Sequence, residues 1–169
     1  MIHSIAMRIV YFIIISTMLA SCGEQNTNTT RLLQNRIDSL QIQLADCYRP
    51  GFGDFMIGIQ IHHSKLWFAG KNKNWGLADF EASEILETVD DLAKYQKERK
   101  EMMMMGMLTR AIDSVRVAIS QKNSFKFNSS YSYLTKTCNV CHSASKFEFN
   151  VIKIPETLPF TNQEFQPIR

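Results

Sequence analysis

The sequence predicts an all-α chain: an antiparallel four-helix bundle, led by a short coiled-coil helix and followed by an extended C-terminal strap. Three observations predict it. Apolar residues recur at helical spacing in four stretches between residues 50 and 147. The connections between those stretches are short, and no run of strictly alternating apolar and polar residues occurs before residue 146. At 169 residues the chain can bury one modest core.

Residues 1–21 read as a signal peptide that takes no part in the bundle. Arg8 gives a weakly positive start, and "IVYFIIISTML" is apolar but short for a bilayer span. The stretch ends in Leu19-Ala20-Ser21-Cys22, which resembles the lipobox of bacterial lipoproteins. That resemblance implies cleavage before Cys22 and a lipid on its thiol. The expected location is the bacterial cell envelope, with the chain facing the periplasm or the cell exterior. An ordinary signal peptide cut nearby would export the chain equally.

Residues 22–29 are polar and are expected to form a flexible tether. Residues 30–48 are expected to be helical. Leu33, Ile37, Leu40, Leu44 and Cys47 follow the 4-3-4-3 spacing of a coiled coil. Two heptads are too short to persist alone, so this helix must pair with another chain or lie on the main domain. A homodimer through residues 33–47 would bring two Cys47 thiols together. The alternative is an unreactive Cys47 buried against the bundle.

The bundle is expected over residues 50–147, after Pro50 and Gly51 break the preceding helix. Its first helix runs from Phe52 to Phe68, with Phe55, Met56, Ile59, His63 and Leu66 on one face and Gly70 as its stop. The second starts at the N-cap Asn74 and faces inward through Phe80, Ile85, Val89 and Leu92. The third, Met103 to Ser120, carries Met104, Leu108, Ala111, Val115 and Ala118. The fourth, Phe127 to Ala144, carries Tyr131, Leu134, Cys138 and Cys141. Residues 148–169 hold three prolines and no helical period, and are expected to lie extended over the bundle.

Composition excludes one class of partner. Without Arg8 the exported chain holds 18 Lys and Arg against 16 acids, a formal charge of +2, which leaves no electrostatic footprint for nucleic acid. The basic run at 94–101 reads as a solvated helix face.

The chemistry lies in "TCNVCHSAS", residues 137–145, where Cys138-x-x-Cys141-His142 occurs near a predicted helix end. Covalent haem attachment needs two thiols one helical turn apart and an adjacent histidine for the iron. It also needs export, which the signal peptide supplies independently. Zinc would need a second ligand pair, and neighbouring His62 and His63 point about 100° apart on a helix. A redox dithiol of the thioredoxin kind would need an α/β setting. A Cys138–Cys141 disulfide is the remaining alternative. The expected cofactor is therefore one covalent haem c, with Cys138 and Cys141 as thioether residues and His142 as axial ligand.

The bundle, the C-terminal Cys-x-x-Cys-His and Lys146 four residues after the histidine together resemble the cytochrome c′ class. That class usually has an aromatic three positions after the histidine; here Ser145 stands there and Phe147 is displaced. The stretches "HHSKLWFAGKNKNWGLADFE" (62–81) and "LTKTCNVCH" (134–142) are similar to a group of exported bacterial haem proteins of this kind. The resemblance spans most of residues 51–165 and implies a four-helix haem bundle. In the cytochrome c′ class the sixth iron position is commonly vacant, which would give a gas-binding haem.

The sixth ligand should come from the start of the first bundle helix. Met56 is the candidate, because it is level with His142 if the helix ends align. His63, two turns further on, is the rival; Met104 and Met107 are fallbacks. Trp67 is a candidate wall for the porphyrin and Lys65 a candidate propionate partner. The expected function is a membrane-anchored monohaem cytochrome carrying single electrons to an unidentified redox partner. The alternatives are a five-coordinate haem protein binding or detoxifying a small gas or peroxide, and an interaction lipoprotein working through its coiled coil.

Overall fold

The computed structural model describes residue 7, residues 23–47 and residues 50–168. The signal peptide, lipidation of Cys22 and the state of the Cys47 thiol lie outside the described residues. Among the described residues the regular structure is entirely helical, and no helix is long and apolar enough to cross a membrane. The chain divides into two compact units, residues 1–49 and 50–169.

The first unit holds α1, Gly23–Cys47. It starts seven residues earlier than the spacing suggested: residues 23–29, expected as a flexible tether, continue the helix. The segment is polar but contains no proline after Gly23 to end a helix propagating back from residue 30. The apolar stripe is unburied, with Leu33, Ile37, Leu40 and Leu44 between 46% and 75% exposed.

The second unit is a helical bundle of α2 (Phe52–Lys71), α3 (Trp75–Tyr95), α4 (Met105–Ser120) and α5 (Ser124–Ala144). A 3-10 segment, Lys100–Met104, leads into α4. Neighbouring helices pack in sequence order, and α2 also packs on α5. The starts follow from local chemistry. Asp54 accepts the Gly51 N–H at 2.8 Å, Asn74 accepts from Leu77 N–H at 3.2 Å, and Asn123 accepts from Lys126 N–H at 3.0 Å.

The helix ends differ from expectation. Gly70 does not stop α2; it lies inside the helix and buried, because the ring of Phe127 on α5 occupies the space a Cβ would need. The stop is Lys73, in left-handed backbone at φ 59°. Its N–H bonds the Gly70 carbonyl and that of Asn74 bonds Ala69. Lys122 (φ 49°) and Lys146 (φ 65°) end α4 and α5 in the same way.

Leu66, Ile85, Leu92, Ile112, Val115, Phe127, Tyr131 and Leu134 form the fully buried centre. Two stripe assignments shift. Phe80 is 53% exposed, and the inner face of α3 is instead Ala78, Glu81, Ala82, Ile85, Val89 and Leu92. Met105 is buried where Met104 was expected, because Met104 belongs to the 3-10 turn and α4 begins at Met105.

Residues 148–168 hold neither helix nor strand but are tied down at two places. Asn139 of α5 bonds the backbone of Ile152, and Phe165 is buried against Phe68. Gln166 bonds Asn72 and Asn74 at the α2–α3 turn.

Candidate cofactor site

Between α2, the 3-10 segment with α4, and the end of α5 lies a cavity of about 420 Å³, within the range of small-molecule and cofactor sites. Its lining is mostly apolar. From α2 come Phe52, Met56, Ile59 and His63; from the opposite side come Met104, Met105 and Leu108. Cys138, Cys141 and His142 line it from α5, and Phe147, Asn150 and Ile152 of the tail close that side. The three motif residues and the leading sixth-ligand candidate thus border one space.

Both thiols are free, half-buried and protonated. Burial, with Cys141 nearby, pushes Cys138 up to about 11; burial also raises Cys141. Neither is poised as a reactive thiolate. His142 Nδ1 lies 2.6 Å from the Asn150 carbonyl oxygen. A carbonyl can only accept, so Nδ1 carries a proton, and in the neutral ring the lone pair is on Nε2. That is the second-shell arrangement a metal-binding histidine uses.

His63 is placed differently. Tyr131 OH lies 3.0 Å from Nδ1 and donates to the His63 carbonyl at 2.7 Å; Thr135 Oγ1 lies 2.9 Å from Nε2. Thr135 donates its own proton to the Tyr131 carbonyl, as Tyr131 does to the His63 carbonyl, so each ring nitrogen of His63 faces a hydroxyl oxygen that already donates elsewhere, and the ring N–H donates to one of the two. Burial lowers His63 to about 4, so the ring is neutral with both nitrogens engaged. The sequence put His63 on the inner face correctly, but its partners come from α5.

Lys65 and Trp67 are not among the cavity-lining residues. Lys65 Nζ lies 2.9 Å from Oε1 of the fully buried Glu81, and His62 Nδ1 lies 2.7 Å from Oε2. Burial opposes ionisation of Glu81, but its bonds to His62 and Lys65 outweigh this and hold its carboxyl below the usual range. Trp67 stacks on Phe127 and packs tilted against Tyr131, with ring centroids 6.2 and 4.8 Å away, and Lys71 lies over its ring. The adjacent histidines therefore face two neighbours: His62 ties α2 to α3, and His63 ties α2 to α5. The physical reason is the rotation between consecutive helical residues.

The cation at the cavity is Arg99, in the basic run expected as a solvated helix face; residues 96–99 are instead a turn, and Arg99 lines the cavity. Its Nε and Nη2 lie 3.1 and 3.2 Å from the two oxygens of buried Glu101, and its guanidinium covers the Phe52 ring at 4.6 Å. The Arg99 hydrogen bonds are the main cause holding the Glu101 carboxyl below its ordinary value. Among the described residues Arg99 is the one lysine or arginine lining the cavity. Beyond its place in that run, its only sequence signal is an Arg-x-Glu spacing in a turn, which says nothing about what the pair faces.

Among the described residues no group of three or more His, Cys, Asp or Glu side chains is placed to hold a bare metal ion. Comparison of the chain with protein-family models, curated proteins and solved structures finds no match in any of the three.

Proposed function

We propose that the chain is an exported monohaem c-type cytochrome, anchored to the envelope membrane through Cys22, that carries single electrons outside the cytoplasm. The observation that carries this reading is the convergence of Cys138, Cys141 and His142 on one apolar cavity, with the His142 Nδ1–H already committed to a carbonyl. The donor set fits haem c: two protonated, half-buried thiols one turn apart and an imidazole whose remaining nitrogen is a lone-pair donor. Haem held there would supply a one-electron iron couple whose potential its surroundings tune.

The chain's own residues then have distinct tasks. Cys138 and Cys141 would hold the porphyrin through thioether bonds, and His142 Nε2 would bind the iron. Met56, half-buried on the cavity wall, is the sixth-ligand candidate we favour, since both ring nitrogens of His63 are engaged elsewhere. Arg99 replaces Lys65 as the propionate partner, because Arg99 lines the cavity and Lys65 does not. The apolar wall of Ile59, Met105 and Leu108 excludes water from the site.

In this reading α2–α5 form an antiparallel four-helix bundle of the cytochrome c′-like class, and residues 148–169 form a strap over it. Short turns between sequential neighbours and the α2–α5 packing support the bundle; the Asn139–Ile152 and Phe68–Phe165 contacts support the strap. The engaged His63 also weighs against peroxide chemistry, which would use a free distal base. A vacant sixth position remains the competing haem reading.

Visible spectra of the reduced protein with and without carbon monoxide decide between them. Sharp low-spin bands that ignore the gas are expected, with conversion to a gas-binding high-spin form in Met56→Ala. A wild-type protein that binds the gas rapidly would overturn the electron-carrier reading in favour of a gas-binding haem.

The unburied stripe of α1 supports a further partner, a second copy of this chain paired through residues 33–47. Ile37 at an a position with Leu33 and Leu40 at d positions suits a two-stranded parallel coil. Leu40→Lys should abolish concentration-dependent sedimentation of the dimer; an unchanged profile would refute the pairing.

A further inference from the structure

Asn139, the first residue between the two cysteines of the motif on α5, makes a paired contact that haem attachment does not require. Its Nδ2 donates to the Ile152 carbonyl at 2.8 Å, and its Oδ1 accepts the Ile152 N–H at 2.8 Å. Both bonds go to the backbone of one residue, so the side chain grips the tail as a neighbouring strand would. Two residues before the grip is Asn150, whose carbonyl receives the His142 Nδ1–H.

The chain between them is short and closed. Lys146 turns through left-handed backbone, Phe147 N–H bonds the His142 carbonyl at 2.8 Å, and Asn150 N–H bonds the Phe147 carbonyl at 2.9 Å. Asn139 and His142 are three residues apart on α5 and therefore neighbours on its surface. The loop from 142 to 152 is thus fixed at its root by the helix cap and at its far end by Asn139.

We infer that Asn139 is a positioning residue for the axial histidine: its grip on Ile152 holds the Asn150 carbonyl against His142 Nδ1 and so fixes the ring's orientation and tautomer. The inference rests on the proposed haem reading for its effect on iron, but the grip itself does not. The physical need is clear from the exposure of the loop. Phe147, Phe149 and Val151 are 40%, 80% and 69% exposed, so apolar burial in this part of the tail rests mainly on half-buried Ile152. A free carbonyl there would trade its histidine for water. A hydrogen bond from Nδ1–H to a fixed acceptor raises the basicity of Nε2 and favours the ferric state.

The test compares Asn139→Ala and Asn139→Asp with wild type, all as exported protein. NMR reads the His142 ring tautomer and the exchange protection of its Nδ1 proton and of the Ile152 amide, in the reduced state if haem is present. Wild type should show the Nδ1–H tautomer with both protons protected. Asn139→Ala should lose protection at both while the core amides of Leu66 and Ile112 keep theirs. Asn139→Asp, which still accepts the Ile152 N–H but donates nothing back, should fall between.

Redox titration gives the second readout. Loss of the grip should raise the midpoint potential, shifting the population at the wild-type midpoint from equal towards ferrous. Unaltered protection of Ile152 and of the His142 proton in Asn139→Ala would overturn the positioning role. If the protein carries no haem, the cytochrome reading falls and the NMR comparison alone decides the role of Asn139.

Discussion

Replacing Gly70 by alanine should destabilise the bundle, whereas the same substitution twelve residues earlier in the same helix should stabilise it. At Gly70 a Cβ would overlap Cζ and Cε1 of Phe127, and even Cε2 would stand only 2.5 Å away. Carbon atoms in contact normally sit about 3.5–4.0 Å apart, so the ring must retreat by about 1 Å or more. It has nowhere to go: Phe127 is fully buried, with the rings of Trp67, Tyr131 and Trp75 about it at centroid distances of 6.2, 5.9 and 6.0 Å. Overpacking of this kind costs about 1–3 kcal/mol or more. Alanine returns about 1 kcal/mol through helix propensity, so the upper part of that range predicts a net loss of about 2 kcal/mol. At Gly58 a Cβ meets nothing within 4 Å, leaving the propensity gain of up to about 1 kcal/mol unopposed. Urea midpoints at constant m-value measure both. A Gly70→Ala protein as stable as Gly58→Ala would refute the close approach of α2 and α5, and with it the shape of the cavity those helices border. Leucine at 127 in the Gly70→Ala background should recover part of the loss, since the two changes share one space.

Other consequences follow from the buried ionisable groups. Lys65→Met leaves Glu81 buried with only His62 to hold it, and should cost about 3 kcal/mol at pH 7. Because the folded-state pKa of Glu81 is lowered, its contribution is present above the unfolded value and disappears as pH falls through the folded one. The gap in urea midpoint between wild type and Lys65→Met should therefore narrow in acid; a gap independent of pH would contradict the ion-pair account. His63 carries the opposite liability. Its native ring resists protonation, so stability is lost as pH falls from 6.5 towards about 4 and no further below that, in all about 3 kcal/mol. NMR titration of the reduced protein should find His63 neutral at pH 5, and a midpoint near 6.5 would show that it is not held as described.

The motif was legible because it is local: Cys138, Cys141 and His142 lie within five residues. The helices were legible from spacing, and Asn74 as a cap from its position before an apolar period. Contacts between helices were not. His63 reads as an inner residue, yet only the packing of α2 on α5 reveals that Tyr131 and Thr135 take both its nitrogens. Lys65 and Trp67 are close in sequence to the candidate ligands but point to Glu81 and to the Phe127–Tyr131 stack. One signal for Glu81 was present, since it shares the inner stripe of α3 with Ala78 and Ile85. A carboxylate on such a stripe calls for a cationic partner. Small residues on that stripe disguised it and led the reading to Phe80. Gly70 was read as a stop because glycine commonly ends helices, whereas the left-handed position is filled by Lys73, which no propensity favours. Asn139 gave no pattern and Arg99 only a place in a basic run, because each acts through chain segments that meet only in the folded unit.

The central claim is that Cys138 and Cys141 hold haem. The most direct measurement is the mass of the peptide containing residues 138–142 from protein exported by a host that attaches c-type haem. One haem should be added to that peptide through both cysteines, with a one-thioether product when Cys138 is replaced by serine. Recovery of the peptide without haem, its two cysteines joined as a disulfide, would contradict it.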